Sequence, residues 1–455
     1  MTNDINQQKQ QIKEKMNKAL DEHYKSFAEA GKQKKLTIDE IERLWGESIK
    51  KTQDILKEST EQIVKGRETE GEGEKKCPKC GKRLKNHSQR TKFIKTLHGE
   101  LSISRNYYYC RRCHYSETSQ DQELGTEGLA HSITKALRSE IVFYGQNQPS
   151  FKEAGKMIKR ALGMEISKET VRQVTEKTGT QVFTQDSQRA EGVLSNIHNM
   201  EILNKKNQKE KTLYIMIDGA AVNTRIEDEN GSTWRENKTV IVFTDKDIIK
   251  RKKSSNIIVK KEYVPYIGNA EGFRKYVLDA AVRAGYGKIK RVVIIADGAT
   301  WIRNLCHELF PDGTQILDIY HLKENIYTYA KHKYNQNPAE YTPWAEEFIS
   351  KIENGKVEEA LAQIPKEEKL PAGVVNLRTY IENNKNKINY TEYKKQGFYI
   401  GSGAIESGNK VILHRRLKQP GMRWSIGGAQ ALLTLRAKYE SNLWGDVINV
   451  IQMAS

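Results

Sequence analysis

The spacing of apolar positions changes several times along this chain, and the changes divide it into segments. Over residues 8–65 the apolar residues Ile38, Ile41, Trp45, Ile49, Ile55 and Ile63 recur near helical spacing. Thr37, with Glu40 three residues on, forms a capping box that opens the second of these helices. This predicts a helical arm over 1–70, read either as a dimerising arm or as a hairpin packed on its own chain. The stretch "GRETEGEGEKK" (66–76) is rich in Gly and Glu and reads as a linker, and "GEG" at 71–73 belongs to it. Residues 77–118 change to short β-type runs around a turn at Gly99. Helical periodicity returns over 125–185. "FKEAGKMIKRALGMEISKETVRQVTEKTG" (151–179) reads as helix, turn at Gly163, and a second helix capped by Ser167. From 211 the pattern is α/β, with "TLYIMID", "STWRENKTVIVFTD" and "RVVIIAD" as strands. Residues 320–395 are helical and charged; a loop after 401 and a final helix, "GGAQALLTLRAKYESNLW", close the chain.

Composition adds a class. The chain has 455 residues, enough for several domains with real cores, and a mean hydropathy of −0.74. No apolar run approaches the ~20 residues of a membrane span, and "MTNDINQQKQ" lacks an apolar signal region, so no membrane contact and a cytoplasmic location are expected. Net charge is +18, unevenly placed. Residues 1–76 hold 16 Lys+Arg and 16 Asp+Glu, whereas 77–118 hold 10 bases against 2 acids. Charge kept for solubility accounts for an even spread; the clustering points to a nucleic-acid partner.

Four of the five cysteines form two pairs, Cys77-x-x-Cys80 and Cys110-x-x-Cys113, on either side of a hairpin's length of chain. Two such knuckles supply the four thiolates that one structural Zn²⁺ takes in a tetrahedron. Coincidentally spaced free thiols are disfavoured because four of the five cysteines fall in these pairs, and a redox pair because two such motifs flank a hairpin with no βαβ pattern around them. On this zinc ribbon, Lys79, Lys82, Arg83, Lys85, Arg111 and Arg112, with Tyr107, Tyr108 and Tyr109, suit phosphate contact with some stacking. The helix-turn-helix candidate offers Lys168, Arg172, Gln173 and Lys177 to a major groove, although two short helices joined by a turn are common in any α domain.

Two apolar strands end in Asp-Gly, at Asp218 and Asp297. Asp-Gly is also an ordinary turn pair, but two such ends in one domain invite a shared metal. Glu406 is the third carboxylate. It stands alone among small residues in "GSGAIESGNKVILHRRLKQPGMRW", followed by Lys410, Arg415, Arg416, Lys418 and Arg423. Three carboxylates can hold two Mg²⁺ (or Mn²⁺) ions for in-line attack on a phosphodiester. Small neighbours admit a DNA backbone, and the following bases neutralise its phosphates.

The series Asp218, Asp297, Glu406, with "DIYHL" (318–322) and "GSGAIES" followed by "RRLKQPGMRWS", resembles the DDE transposases of bacterial insertion sequences with Mutator-like architecture. The resemblance spans about 125–440, and its Asp-x-x-His element is matched by Asp318 and His321. It implies an α/β fold: a ribonuclease-H-like mixed sheet with an all-α insertion. The expected order is the helical arm (1–70), zinc ribbon (75–118), helical DNA-binding domain (125–190), first part of the catalytic core (205–320), all-α insertion (321–395) and glutamate-bearing end (396–455). It further implies Asp218, Asp297 and Glu406 as catalytic metal ligands and binding and rearrangement of double-stranded DNA; a homo-oligomer is expected. His321 is read either as a helix-start residue packed under the sheet or, as its DIYH context favours, in a substrate-side role. A resolvase-type nuclease on the same core, or a DNA-binding derivative without activity, are the rival readings. Trp424 and Cys306 are expected in the core, and Asp245 and Asp312 in turns.

Overall fold

A computed structural model describes residues 2–32, 36–70, 75–118, 121, 124–126, 132–197, 209–249, 256–401 and 403–453. The chain divides into two compact units, one of residues 1–144, 154–174 and 451–455, the other of 145–153 and 175–450.

In the first unit, α1 (Thr2–Gly31) and α2 (Ile38–Glu70) form an antiparallel hairpin. Lys15 pairs with Glu58 at 2.6 Å and Lys51 with Glu22 at 3.0 Å. The capping box is made: the Thr37 N–H donates to Glu40 at 3.0 Å and the Glu40 N–H to Thr37 Oγ1 at 3.3 Å. The two helices pack on one another, while Trp45, Ile49, Leu56 and Ile63 stay exposed. Helix α2 runs through Glu70, into the segment read as linker, and residues 71–74, with the "GEG" reading, lie outside the described residues. A three-stranded antiparallel sheet follows, of β1 (Lys85–Thr96), β2 (Gly99–Tyr109) and β3 (Ser116–Thr118). Next come α3 (Lys135–Asn147), α4 (Phe151–Leu162) and α5 (Lys168–Ser195), of which residues 135–144, 154–162 and 168–174 belong to this unit. Gly163 breaks the run between α4 and α5 at φ +67°, and Ser167 Oγ accepts the Thr170 N–H at 3.0 Å, as the capping pattern requires.

The second unit is built on a five-stranded mixed sheet. Its strands are β4 (Lys209–Asn223), β5 (Trp234–Thr244), β8 (Glu262–Ile267), β9 (Ile289–Ala296) and β10 (Thr314–Leu317). A small hairpin of β6 (Ile248–Ile249) and β7 (Ile257–Ile258) lies between β5 and β8 in sequence. The order is β10-β9-β4-β5-β8, with β5 antiparallel to both β4 and β8, and β9 and β10 parallel to β4. Helix α6 (Ala270–Arg283) connects β8 to β9, and α7 (Thr300–Leu309) connects β9 to β10. The helices α8 (Ile319–Lys333), α9 (Pro338–Glu353), α10 (Val357–Leu361), α11 (Leu377–Asn383) and α12 (Tyr390–Lys395) make the expected all-helical stretch.

Two expectations are corrected after that stretch. The segment around Glu406 is not a loop: α13 (Gly403–Asn409) leads through a π-helical turn, Lys410–His414, into α14 (Arg415–Leu417). Then α15 (Ile426–Glu440) and α16 (Trp444–Met453) close the chain, so the final helical stretch is two helices. Among the described residues no helix is long and apolar enough to cross a membrane.

Strand periodicity sorts the core into two layers. Leu213, Ile215 and Ile217 face α6 and α7, with Phe273, Val277, Ile302 and Leu305. Tyr214 and Met216 face the other way, with Leu322 of α8, Ile405 of α13 and Leu432 of α15. The same alternation carries Ile241 and Phe243 of β5 and Val293 and Ile295 of β9 to the α13 side. Each fully buried aliphatic side chain stabilises the fold by about 1.5–3 kcal/mol. The consequence for function is positional: two residues beyond Met216 and two beyond Ile295 come Asp218 and Asp297, on the face that α8 and α13 cover.

Candidate functional site

Asp218 is not at the end of its strand. β4 continues to Asn223 and pairs Asp218 with Thr239 of β5, so Gly219 is a strand residue and not a turn. Relative to β9 the expectation holds, because the β4–β9 ladder stops at Ile217 opposite Ala296. One residue beyond that pair stand Asp218 and Asp297, and the Asp297 charge acts on the Asp218 carboxyl. Gly298, at φ +90°, then turns the chain away from β9, and Asp297 Oδ1 accepts the Ala299 N–H at 2.8 Å. Asp218 Oδ1 accepts the Gly219 N–H at 2.8 Å.

Helix α13, which carries Glu406, is hydrogen-bonded to the first of this pair. Asn409, three residues after Glu406 and so on the same helical face, donates Nδ2–H to Asp218 Oδ2 at 2.8 Å. Its own Oδ1 accepts the Thr239 hydroxyl at 3.1 Å. Gly408 permits the approach, since a Cβ there would lie 2.5 Å from the Tyr263 ring. That glycine serves helix-on-sheet packing and not the approach of a DNA backbone. Glu406 itself is exposed.

On the other side stands the start of α8. Asp318 is fully buried and caps the helix, accepting N–H groups from Tyr320 at 3.2 Å and His321 at 3.1 Å. Asp318, His321 and Glu406 each offer a ligand atom, all within 4.8 Å of one another, and this triad could hold a metal ion. The sequence groups Glu406 with the two strand aspartates; the ligand set formed here joins it instead to Asp318 and His321. Burial pushes the Asp218 carboxyl above its ordinary range, the Asp297 charge adds to the rise, and the Gly219 N–H, His321 and Asn409 oppose it. Asp218, Asp297 and His321 are thus electrostatic neighbours, and His321 links the strand pair to the triad.

Tyrosine hydroxyls from the helical stretch hold the strand ends. Tyr380 donates to the Asp297 carbonyl at 2.7 Å and Tyr390 to the Leu317 carbonyl at 2.9 Å. Sequence reasoning missed Asp318 as a ligand and Asn409 altogether. The i, i+3 spacing of Asn409 from Glu406 was the available signal.

The bases after Glu406 divide. Lys410, Arg415 and Arg423 are exposed. The His414 imidazole is held below its ordinary pKa by burial and by the nearby charges of Lys418 and Lys410. Arg416 is not a surface base: it is 1% exposed, with its guanidinium 4.5 Å from the Phe151 ring and 5.1 Å from that of Trp424. It donates to the Gly145 carbonyl at 3.4 Å, and burial lowers its pKa to about 9. Trp424 is buried, as expected, with its indole N–H on the Leu417 carbonyl at 3.1 Å. Asp245 is more than a turn residue, since it accepts the Thr212 N–H at 2.9 Å. Cys306 is buried and its thiol is pushed up to about 12 by burial.

In the other unit, Cys77, Cys80, Cys110 and Cys113 form a cluster near zinc-ribbon geometry that could hold a zinc ion. Their Sγ atoms are 3.2 Å (77–113), 3.4 Å (110–113) and 3.6 Å (80–110 and 80–113) apart. A tetrahedron with Zn–S bonds of 2.3 Å has edges of about 3.8 Å, so a small expansion admits the ion. The two knuckles repeat one another: Gly81 N–H donates to the Cys77 carbonyl and His114 N–H to that of Cys110. Both follow-on residues have positive φ, +69° at Gly81 and +56° at His114. Backbone N–H groups, chiefly that of Cys113, lower the Cys110 thiol to about 6, while its hydrogen bond with Cys77 raises Cys113 to about 12. Four thiols so close cannot all ionise without a cation. Lys79, Lys82, Arg83, Arg111 and Arg112 are exposed around this cluster. On α5, Lys168 is exposed, but Arg172 and Gln173 are both held by Glu169, at 2.5 Å and 2.7 Å.

The chain belongs to the uncharacterised protein family UPF0236, which it matches over residues 32–450. Comparison with curated proteins gives no match.

Proposed function

We propose that the chain is a DNA transposase that binds the ends of its element and carries out metal-dependent strand cleavage and strand transfer. The observation that carries the reading is the assembly of Asp218, Asp297, Asp318, His321 and Glu406 on one face of the sheet, from segments far apart in sequence. Further support comes from the sheet order. Three antiparallel strands followed by two parallel ones, with the first strand central, is the arrangement expected of a ribonuclease-H-like core with its acids on the first and fourth strands.

Asp218 and Asp297 would hold one Mg²⁺ or Mn²⁺ ion, and Glu406 with Asp318 or His321 a second. Bound there, the ions would sharpen a water or 3′-hydroxyl as nucleophile and stabilise the leaving oxygen of a phosphodiester. The residues supply the rest. Asn409 orients Asp218 and favours its charged form. Asp318 fixes His321 at the helix start. Lys410, Arg415 and Arg423 meet phosphates flanking the cut, and the zinc-ribbon bases bind double-stranded DNA away from it. A homo-oligomer that brings two element ends together, in the cytoplasm, completes the reading.

The test is incubation of the protein with duplexes bearing the element's ends, intact or with pre-cut 3′-OH termini, in Mg²⁺ or Mn²⁺. Wild type should cleave and join strands, and Asp218→Asn, Asp297→Asn and Glu406→Gln should not. Cleavage that survives Asp218→Asn contradicts the reading. Cleavage without joining would favour a resolvase-type nuclease.

A further inference from the structure

At the end of the sheet opposite the carboxylates, the second unit carries a cavity of about 640 Å³. Asp218 lies seven residues along β4 from Lys211 on the cavity wall, or about 23 Å at strand rise. The two sites are therefore separate. The wall is strongly basic, with Arg189, Lys211, Lys246, Lys260, Lys261 and Arg283.

Its three acids, Asp247, Glu262 and Asp446, are already engaged. Asp247 accepts the Thr244 N–H and hydroxyl, each at 2.8 Å. Glu262 pairs with Arg283, and Asp446 with Lys438 at 2.8 Å. Arg189 and Arg283 share the buried Asp279, at 3.0 and 2.9 Å. Among the described residues, Lys211, Lys246, Lys260 and Lys261 have no carboxylate within ion-pair distance. Lys261 is half-buried, and burial lowers its pKa although Glu440 opposes the shift. An ammonium in that position gains from an anion brought to it, because its lost hydration is then replaced. Ala284 and Leu443 add apolar lining to the cavity.

We infer that this cavity binds a small ligand carrying two or more phosphates, of nucleotide size, with the phosphates on the four lysines. The volume lies in the range of small-ligand sites, and clustered lysines are point-charge phosphate binders. A recess of this size suits a compact ligand better than a nucleic-acid backbone, which is long and needs an open track.

The test is isothermal titration of the full chain with ATP and with inorganic pyrophosphate. ATP should bind at one site per chain, and pyrophosphate should displace it. Lys211→Ala and Lys260→Ala should each weaken binding by about tenfold, the effect of one charge-assisted hydrogen bond. The exposed Lys366→Ala should leave binding unchanged. Asp218→Asn should leave it unchanged too, so the outcome is independent of the transposase reading. Absence of saturable ATP and pyrophosphate binding at millimolar concentration overturns the inference, as does binding indifferent to both cavity variants. If a single-stranded oligodeoxynucleotide displaces ATP at equal phosphate concentration, the cavity belongs to nucleic acid and the small-ligand assignment falls.

Discussion

Asn409→Ala tests how the site is held together. In the native chain its amide joins α13 to Asp218 at 2.8 Å and receives the Thr239 hydroxyl at 3.1 Å. Asn409 is 4% exposed, so water does not replace the lost donor. A hydrogen bond to a charged group contributes about 1.5–3 kcal/mol, and groups that orient metal ligands alter metal affinity by about 10–100-fold. The two figures agree, because each 1.4 kcal/mol is a factor of ten. The half-saturating Mg²⁺ concentration for strand cleavage should therefore rise about tenfold to a hundredfold. A second readout has a definite sign. Asn409 opposes the upward shift of Asp218, so its loss moves that carboxyl further up, and the acid limb of the pH–rate profile should move to higher pH. An unchanged Mg²⁺ requirement together with an unmoved acid limb would refute the coupling of Glu406's helix to Asp218. A change in thermal stability alone would not count as support.

Three further outcomes follow from the same geometry. Purified protein should carry about one Zn²⁺ per chain, and its removal should open residues 75–118 to proteolysis, because the ribbon's own core is little more than Cys77, Leu84 and Cys110; resistance of the stripped ribbon would contradict a structural metal. Arg416→Met should be neutral or stabilising in urea unfolding, while Arg416→Ala should cost about 3–5 kcal/mol in lost packing; equal losses would mean the buried charge itself is needed. Without divalent ions, stability should fall as pH rises through the raised Asp218 pKa, since the folded state there holds its proton more tightly than the unfolded chain. Asp218→Asn should remove that fall, and unfolding curves between pH 4 and 8 that coincide for the two proteins would deny the burial cost.

Much of the site was legible because strand periodicity is simple. "TLYIMID" and "RVVIIAD" announced buried strands, and their alternation puts both terminal aspartates on one face. The paired CxxC spacing likewise announced the thiol cluster. What could not be read was tertiary. Arg416 and Arg415 look alike in sequence, and only packing puts the first between Phe151 and Trp424 while the second meets solvent. The glycines around Glu406 suggested a loop, yet Gly408 sits mid-helix because Tyr263 and Ile241 leave no room for a Cβ. Asp218-Gly219 suggested a turn, but hairpin pairing with β5 overrides that local preference. Asp318 read as a motif companion of His321, and its place beside Glu406 depends on the fold of everything between them.

The most direct measurement of the central claim uses an element end with a phosphorothioate at the scissile phosphate. If divalent ions held by these carboxylates contact that phosphate, sulfur in one stereoisomer should suppress cleavage in Mg²⁺, and the softer Mn²⁺ should restore it. Equal rates for sulfur and oxygen substrates in Mg²⁺, or suppression that Mn²⁺ leaves untouched, would contradict a metal-dependent phosphoryl-transfer centre at Asp218, Asp297 and Glu406.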